Sequence, residues 1–167
     1  MRFMSLLVAL AVVCAGADEP HIKAAVAAFE SGQTALRNKQ LLKAAELFRG
    51  AIETEPTFRE AHEKLIQTYL DSSNSLKAAE SITRFLEIWP DAPRYRLVLG
   101  RMLLESQQPE RALAQFSIAL NGDPGNAEAL LGLAEAAKRV GMEDRAREAL
   151  DRGRKLYPSD ERFRSKP

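Results

Sequence analysis

The pentapeptide Leu-Lys-Ala-Ala-Glu occurs twice, at residues 42–46 and again at 76–80, and the 34-residue offset between the copies orders the rest of the chain. Prolines stand at Pro56, Pro90, Pro124 and Pro158, each one such offset after the last. Alanines fall at Ala44, Ala78, Ala112 and Ala146, and large apolar residues at Phe48, Ile82, Phe116 and Leu150. A fourth column reads Ala51, Phe85, Ala119 and Gly153. Strict self-similarity at such a period marks a unit that cannot bury its apolar face alone and must stack on its neighbours. The spacing inside the unit says what it is made of. Ala44 and Phe48 are four residues apart, as are their counterparts in the other units, and residues four apart share one face of a helix.

With the prolines setting the frame, four units run 25–58, 59–92, 93–126 and 127–160, each predicted as two antiparallel helices, A and B. In the first, A spans 24–37 and B spans 41–53, ending before Pro56, which cannot continue a helix. In the second, A spans 58–70, the polar run Asp71-Ser72-Ser73-Asn74-Ser75 turns the chain, and B spans 76–88. In the third, A spans 92–105 and Pro109 opens B. In the fourth, A spans 127–139, Gly141 supplies a residue that accepts positive φ, and B spans 143–157. The small alanine lets helix B approach helix A, and the large residue one turn on fills the groove. Gly32, Gly100 and Ala134 present the matching small surface on helix A, whereas Ile66 departs from it.

These columns resemble the tetratricopeptide repeat, and the resemblance extends over roughly residues 25–158. It implies an all-α solenoid of four helix-turn-helix repeats. Gly32, Ala44, Phe48, Pro56, Ala78, Ile82, Pro90, Gly100, Ala112, Phe116, Pro124, Ala146, Leu150 and Pro158 would be its packing residues. Two departures are visible. The column often aromatic in the family reads Ala28, His62, Arg96 and Leu130, and Gly153 replaces the usual alanine, which predicts a looser last unit.

The N-terminus reads differently. Met1-Arg2 is a minimal basic region, Phe3 to Val13 is apolar except for Ser5, and Ala15-Gly16-Ala17 offers small residues before the polar Asp18-Glu19-Pro20. This is the plan of a secretory signal peptide, with 1–17 removed and export to the periplasm, the exterior or the secretory pathway. The apolar run is too short to span a bilayer, so no stable transmembrane anchor is expected. The repeat domain would then be 18–158, followed by a short tail at 159–167. The only cysteine, Cys14, lies in the leader, leaving no disulfide or thiol chemistry in the rest. The whole chain carries a formal charge of +1, and loss of Arg2 would make it neutral. Such a balance has no electrostatic footprint for nucleic acid.

Nothing in the chain has the spacing of a catalytic or metal motif. His21 and His62 have no close histidine or cysteine partner, no serine sits in a nucleophile elbow, and no glycine loop cradles phosphate. The reading is therefore non-catalytic, with no cofactor and no metal. The resemblance offers a surface instead, the inner face lined by the A helices. It maps to Val26, Phe29, Gln33, Leu36 and Arg37, then to Glu60, Glu63, Gln67, Leu70 and Asp71. In the third and fourth units it maps to Arg94, Leu97, Arg101, Leu104 and Glu105, and to Glu128, Leu131, Glu135, Lys138 and Arg139. Leu36, Leu70 and Leu104 would form an apolar stripe, widened by Phe29, Leu97 and Leu131, with Arg94 and Arg101 opposite Glu63 and Asp71. Such a lane suits an amphipathic helix or extended peptide of a partner protein. The same leucines would serve equally as core between repeats, and self-association with the groove occupied is the alternative. The subgroup that clamps a C-terminal carboxylate has Lys and Asn where this chain has Phe29 and Gln33. The last B helix is far more charged than the others, either as a solvated, self-capping face or as a basic docking patch.

Overall fold

The computed structural model describes residues 20–164, all in helices and their connections, with no strand among the described residues. The proposed cleavage site and Cys14 lie outside them. Eight α-helices follow in order: α1 Pro20–Arg37, α2 Leu41–Thr54, α3 Arg59–Asp71, α4 Ser75–Ile88, α5 Pro93–Glu105, α6 Pro109–Gly122, α7 Ala127–Arg139 and α8 Glu143–Leu156. A 3-10 turn, Glu161–Phe163, closes the described chain. This is an all-α helical-repeat fold. The first helix is already formed at Pro20, before the start that the spacing predicts, and proline is tolerated in a first helical turn.

All four A-to-B turns are built alike. Lys39, Ser73, Gln107 and Gly141, which recur at the repeat period, have φ of 58°, 55°, 57° and 77°. Each turn carries the same pair of backbone bonds, such as Lys39 N–H to Leu36 O and Gln40 N–H to Ala35 O, both 2.9 Å. This double bond satisfies the orphan carbonyls at a helix end and requires one left-handed residue.

The chain divides into two compact units between Ser81 and Ile82. In the first, α1 packs on α2 and α2 on α3. The Phe48 ring lies over Gly32, where a Cβ would come within 2.7 Å of it. Phe29 adds its ring to this cluster, 5.5 Å from Phe48 and 4.9 Å from Phe58. Ala44, Ala51 and Ala61 are fully buried around it.

In the second unit α5 packs on α6, α6 on α7 and α7 on α8, and α5 also touches α7. Phe116 is held from both sides, because a Cβ on Gly100 or Gly132 would lie 2.7 or 2.4 Å from its ring. Phe85 meets Trp89 and Tyr95 in tilted ring contacts, with centroids 4.6 and 4.4 Å apart. Ala112, Ala134, Ala146 and Leu150 are buried, as is Ile82 on α4; Ala78, on the part of α4 that belongs to the first unit, is buried too.

Two expectations need correction. The four prolines contribute no buried packing: Pro56, Pro90, Pro124 and Pro158 are all exposed, and they act in the loops. Nor does Gly153 loosen the last unit. It is buried under Phe163, whose ring would stand 2.1 Å from a Cβ there. Phe163 is itself 0% exposed. The cover on α8 therefore comes from the tail as well as from the helix's own charged residues.

Candidate interaction surface

The residues expected on the A-helix face divide by burial. In the first unit Gln33, Leu36, Glu63 and Leu70 are half-buried, while Arg37, Gln67 and Asp71 are exposed. Phe29 belongs to the aromatic cluster with Phe48 and Phe58, so its bulk is committed to packing. In the second unit Leu97 and Leu131 are half-buried, and Arg94 and Arg101 are exposed. Leu104 is only 5% exposed. It is core, and its carbonyl accepts from Arg139 Nη1 at 2.7 Å. A helix with neighbours on two sides turns part of its nominal outer face inward, and in α5 that part includes Leu104.

Several polar groups on this face are already engaged. Arg59 reaches Glu63 at 3.1 Å, Gln67 donates to Asp71 at 2.7 Å, and Arg37 donates to Thr34 Oγ1 at 2.8 Å. On α7, Glu135 pairs with Arg139 at 2.6 Å. The most extended arrangement lies in the second unit. Arg101 on α5 pairs with Glu128 on α7 at 3.2 Å, Glu128 pairs with Arg162 at 3.0 Å, and Arg162 grips Asp160 at 2.7 Å. Arg162 stands one repeat beyond Glu128, which stands one repeat beyond Arg94. Hydrogen bonding from Arg162 holds the Asp160 carboxyl below its usual range, and the guanidinium is correspondingly harder to deprotonate. On the first unit the Glu55 carboxyl is likewise lowered, by hydrogen bonds from the Thr57 hydroxyl and N–H, with His21 at 3.8 Å adding a smaller effect. These pairs lie at the solvent-facing surface, where water screens them, so they shape the rim without fixing it.

One role was missed in the sequence. At two positions of the column where the family often has an aromatic residue, and one period beyond its last, this chain has hydrogen-bond donors aimed at the preceding proline. His62 Nε2 meets the Pro56 carbonyl at 3.0 Å. Arg96 donates to the Pro90 carbonyl at 3.1 and 2.8 Å, and Arg164 to the Pro158 carbonyl at 2.9 Å. Each donor follows its proline by six positions. That shared spacing was the available signal; it brings a long donor back over the start of an A helix. Arg96 also donates to Gln115 at 3.1 Å, tying α5 to α6.

No group of three potential ligands able to hold a metal occurs among the described residues, and no helix there is long and apolar enough to cross a membrane. Every buried side-chain nitrogen or oxygen there has a partner. What each unit offers is shape: half-buried leucines on its A helices, with paired charges beside them.

Comparison with known proteins gives the same architecture. Two family models, both described as tetratricopeptide repeat, match residues 63–112 and 103–166. Among solved structures, a crystal structure of MamA protein superposes with a TM-score of 0.72 at 19% identity, covering 84% of this chain and 77% of that one. A MamA fragment from Desulfovibrio magneticus gives 0.68 at 18% identity, covering 83% and 78%. A tetratricopeptide repeat protein from Parabacteroides merdae gives 0.72 at 17% identity, covering 85% of this chain and 57% of that one. These likenesses concern the fold. Among curated proteins none matches the sequence.

Proposed function

We propose, from its match to tetratricopeptide-repeat models, that this chain is a non-catalytic adaptor that holds a peptide or helix of a partner protein against its A-helix face. The observation that carries this reading is the second-unit surface. There α5 and α7 touch, Leu97 and Leu131 are half-buried, and the ion pairs Arg101–Glu128 and Glu128–Arg162 border them. An apolar lane with exchangeable charges at its rim can take an amphipathic segment, whose own charges substitute for surface pairs at little cost. The signal-peptide pattern at 1–17 supports a place of work outside the cytosol. The intact mass of protein from its native host should then begin at Asp18, and a retained Met1 would count against export.

The binding test is Leu97→Asp with Leu131→Asp. Two carboxylates desolvated without partners should weaken binding at least tenfold, about 1.4 kcal/mol or more. Cross-linking in intact cells identifies what the wild-type chain holds. If the double variant keeps its helical circular dichroism and still recovers those partners, this surface is not the site.

A second reading, a structural subunit of an envelope assembly, is favoured by the first unit. Leu42 and Leu76, the repeated leucines of the pentapeptide, are 76% and 72% exposed on α2 and α4. Light scattering separates the two, since a subunit would be multimeric without any partner.

A further inference from the structure

We propose that residues 160–164 occupy a docking face on α8 that fits the first helix of a second copy of this chain, and that Phe163 keeps that copy off. The tail is in register with the repeat. Asp160 stands one full period after Asn126, and both cap the start of a helical turn. Asn126 accepts from the Ala129 N–H at 3.0 Å, and Asp160 accepts from the Arg162 N–H at 3.0 Å. Arg164 bonds the Pro158 carbonyl as Arg96 bonds that of Pro90. The tail thus begins as α7 begins, and it lies on α8.

The pairing rule of the repeat identifies the face. In every unit a residue of the fourth column and the residue ten positions later, on the following segment, are at the heart of the packing. Ala51 and Ala61 are both fully buried, as are Ala119 and Ala129. Phe85 and Tyr95 have ring centroids 4.4 Å apart. Gly153 and Phe163 complete the series, one ring filling the space left by a bare Cα. The Tyr157 ring stacks on Phe163 at 5.9 Å, and its hydroxyl donates to the Gly125 carbonyl, so the tail is fastened on both sides.

One A helix has no such neighbour among the described residues. Ala27 on α1, one period before Ala61, is exposed. It borders an open groove with Ser31 and Thr34 on α1 and Lys43 and Leu47 on α2. Ala27 therefore stands to the α8 face as Ala61 stands to Ala51. That correspondence is why the occupant is a second copy of this chain. The contact joins different surfaces on the two copies, so it adds copies in a row and does not close into a two-fold pair. A tail tethered to its own helix competes at an effective concentration of about millimolar, which keeps the wild-type chain capped at micromolar concentrations.

Gly153→Ala tests this. The new Cβ evicts the Phe163 ring and restores the alanine found at Ala51 and Ala119. It also removes a helix-interior glycine, so α8 itself gains stability. Sedimentation velocity across the micromolar range should show wild type at monomer mass and Gly153→Ala as a concentration-dependent series, with association at least tenfold tighter. Adding Ala27→Arg should return the series to monomers. Phe163→Ala should associate in the same way, which covers the case where the ring shifts and stays. If both single variants keep wild-type circular dichroism and remain monomeric across that range, the proposal is overturned. Association that survives Ala27→Arg overturns it as well. Neither Leu97 nor Leu131 takes part, so the result is independent of partner binding on the A-helix face.

Discussion

In the first helix pair the ring belongs to helix B and the gap to helix A: Phe48 lies over Gly32. At α8 the assignment is reversed. Helix B supplies the gap, Gly153, and the ring arrives from the next segment as Phe163. In both places one residue gives up its side chain so that an aromatic ring can lie against backbone. Bulk is conserved across the contact, not at a position. A column read by itself reports Gly153 as a defect, whereas the pair Gly153–Phe163 reports a filled site.

The comparison sharpens first at Phe116, which is served by two glycines where Phe48 is served by one. Phe116→Ala should cost the most, about 3–5 kcal/mol, because Gly100 and Gly132 have no side chains with which to close the cavity. Urea unfolding monitored by circular dichroism measures this. A loss below about 2 kcal/mol, the low end for truncating a large core side chain, would mean that the helices collapse onto the vacancy.

The next effect is smaller and carries an internal control. Gly132→Ala places a Cβ 2.4 Å from the Phe116 ring, and overpacking of this kind costs about 1–3 kcal/mol. Gly50→Ala on α2 meets nothing within 4 Å and should stabilise by up to about 1 kcal/mol through helix propensity. Melting temperatures should move in opposite directions. Movement in the same direction would sink the account of glycine as a seat for a ring.

The smallest effect is electrostatic and belongs to the tail. The Asp160 carboxyl is held below its ordinary value of 3.8 by Arg162. A group whose folded pKa is depressed stabilises above its unfolded pKa and loses that contribution as pH falls through the folded value. Hydrogen exchange at the Arg162 amide should therefore be slower in wild type than in Asp160→Asn at neutral pH, after correction for intrinsic rates. The gap should close on acidification below the unperturbed value. A gap that persists at the acid end would show that the carboxylate charge does not hold the turn.

Much of this molecule was legible beforehand, because a fixed period propagates through local rules. Helix boundaries followed from prolines and turn residues, and the Ala44 and Phe48 columns from helical spacing. The site was harder to read. Whether Leu104 is surface or core depends on how many neighbours α5 has, and helical periodicity carries no count of neighbours. The half-burial of Leu36, Leu70, Leu97 and Leu131 is the same ambiguity in milder form. The roles of His62 and Arg96 were hidden for another reason. They were compared with an aromatic residue expected at that column, when what they replace it with is a bond to a proline carbonyl.

The four left-handed turns have a consequence for how such a chain can change. At Lys39, Ser73 and Gln107 a side chain is carried in a conformation that costs an L-residue about 1 kcal/mol or more, yet the paired backbone bonds impose it regardless of residue type. Those columns are therefore open to substitution, while the number of residues in the turn is not. An insertion would separate both acceptors from their donors and rotate helix B away from helix A. Over time such a repeat is free in spelling and strict in metre.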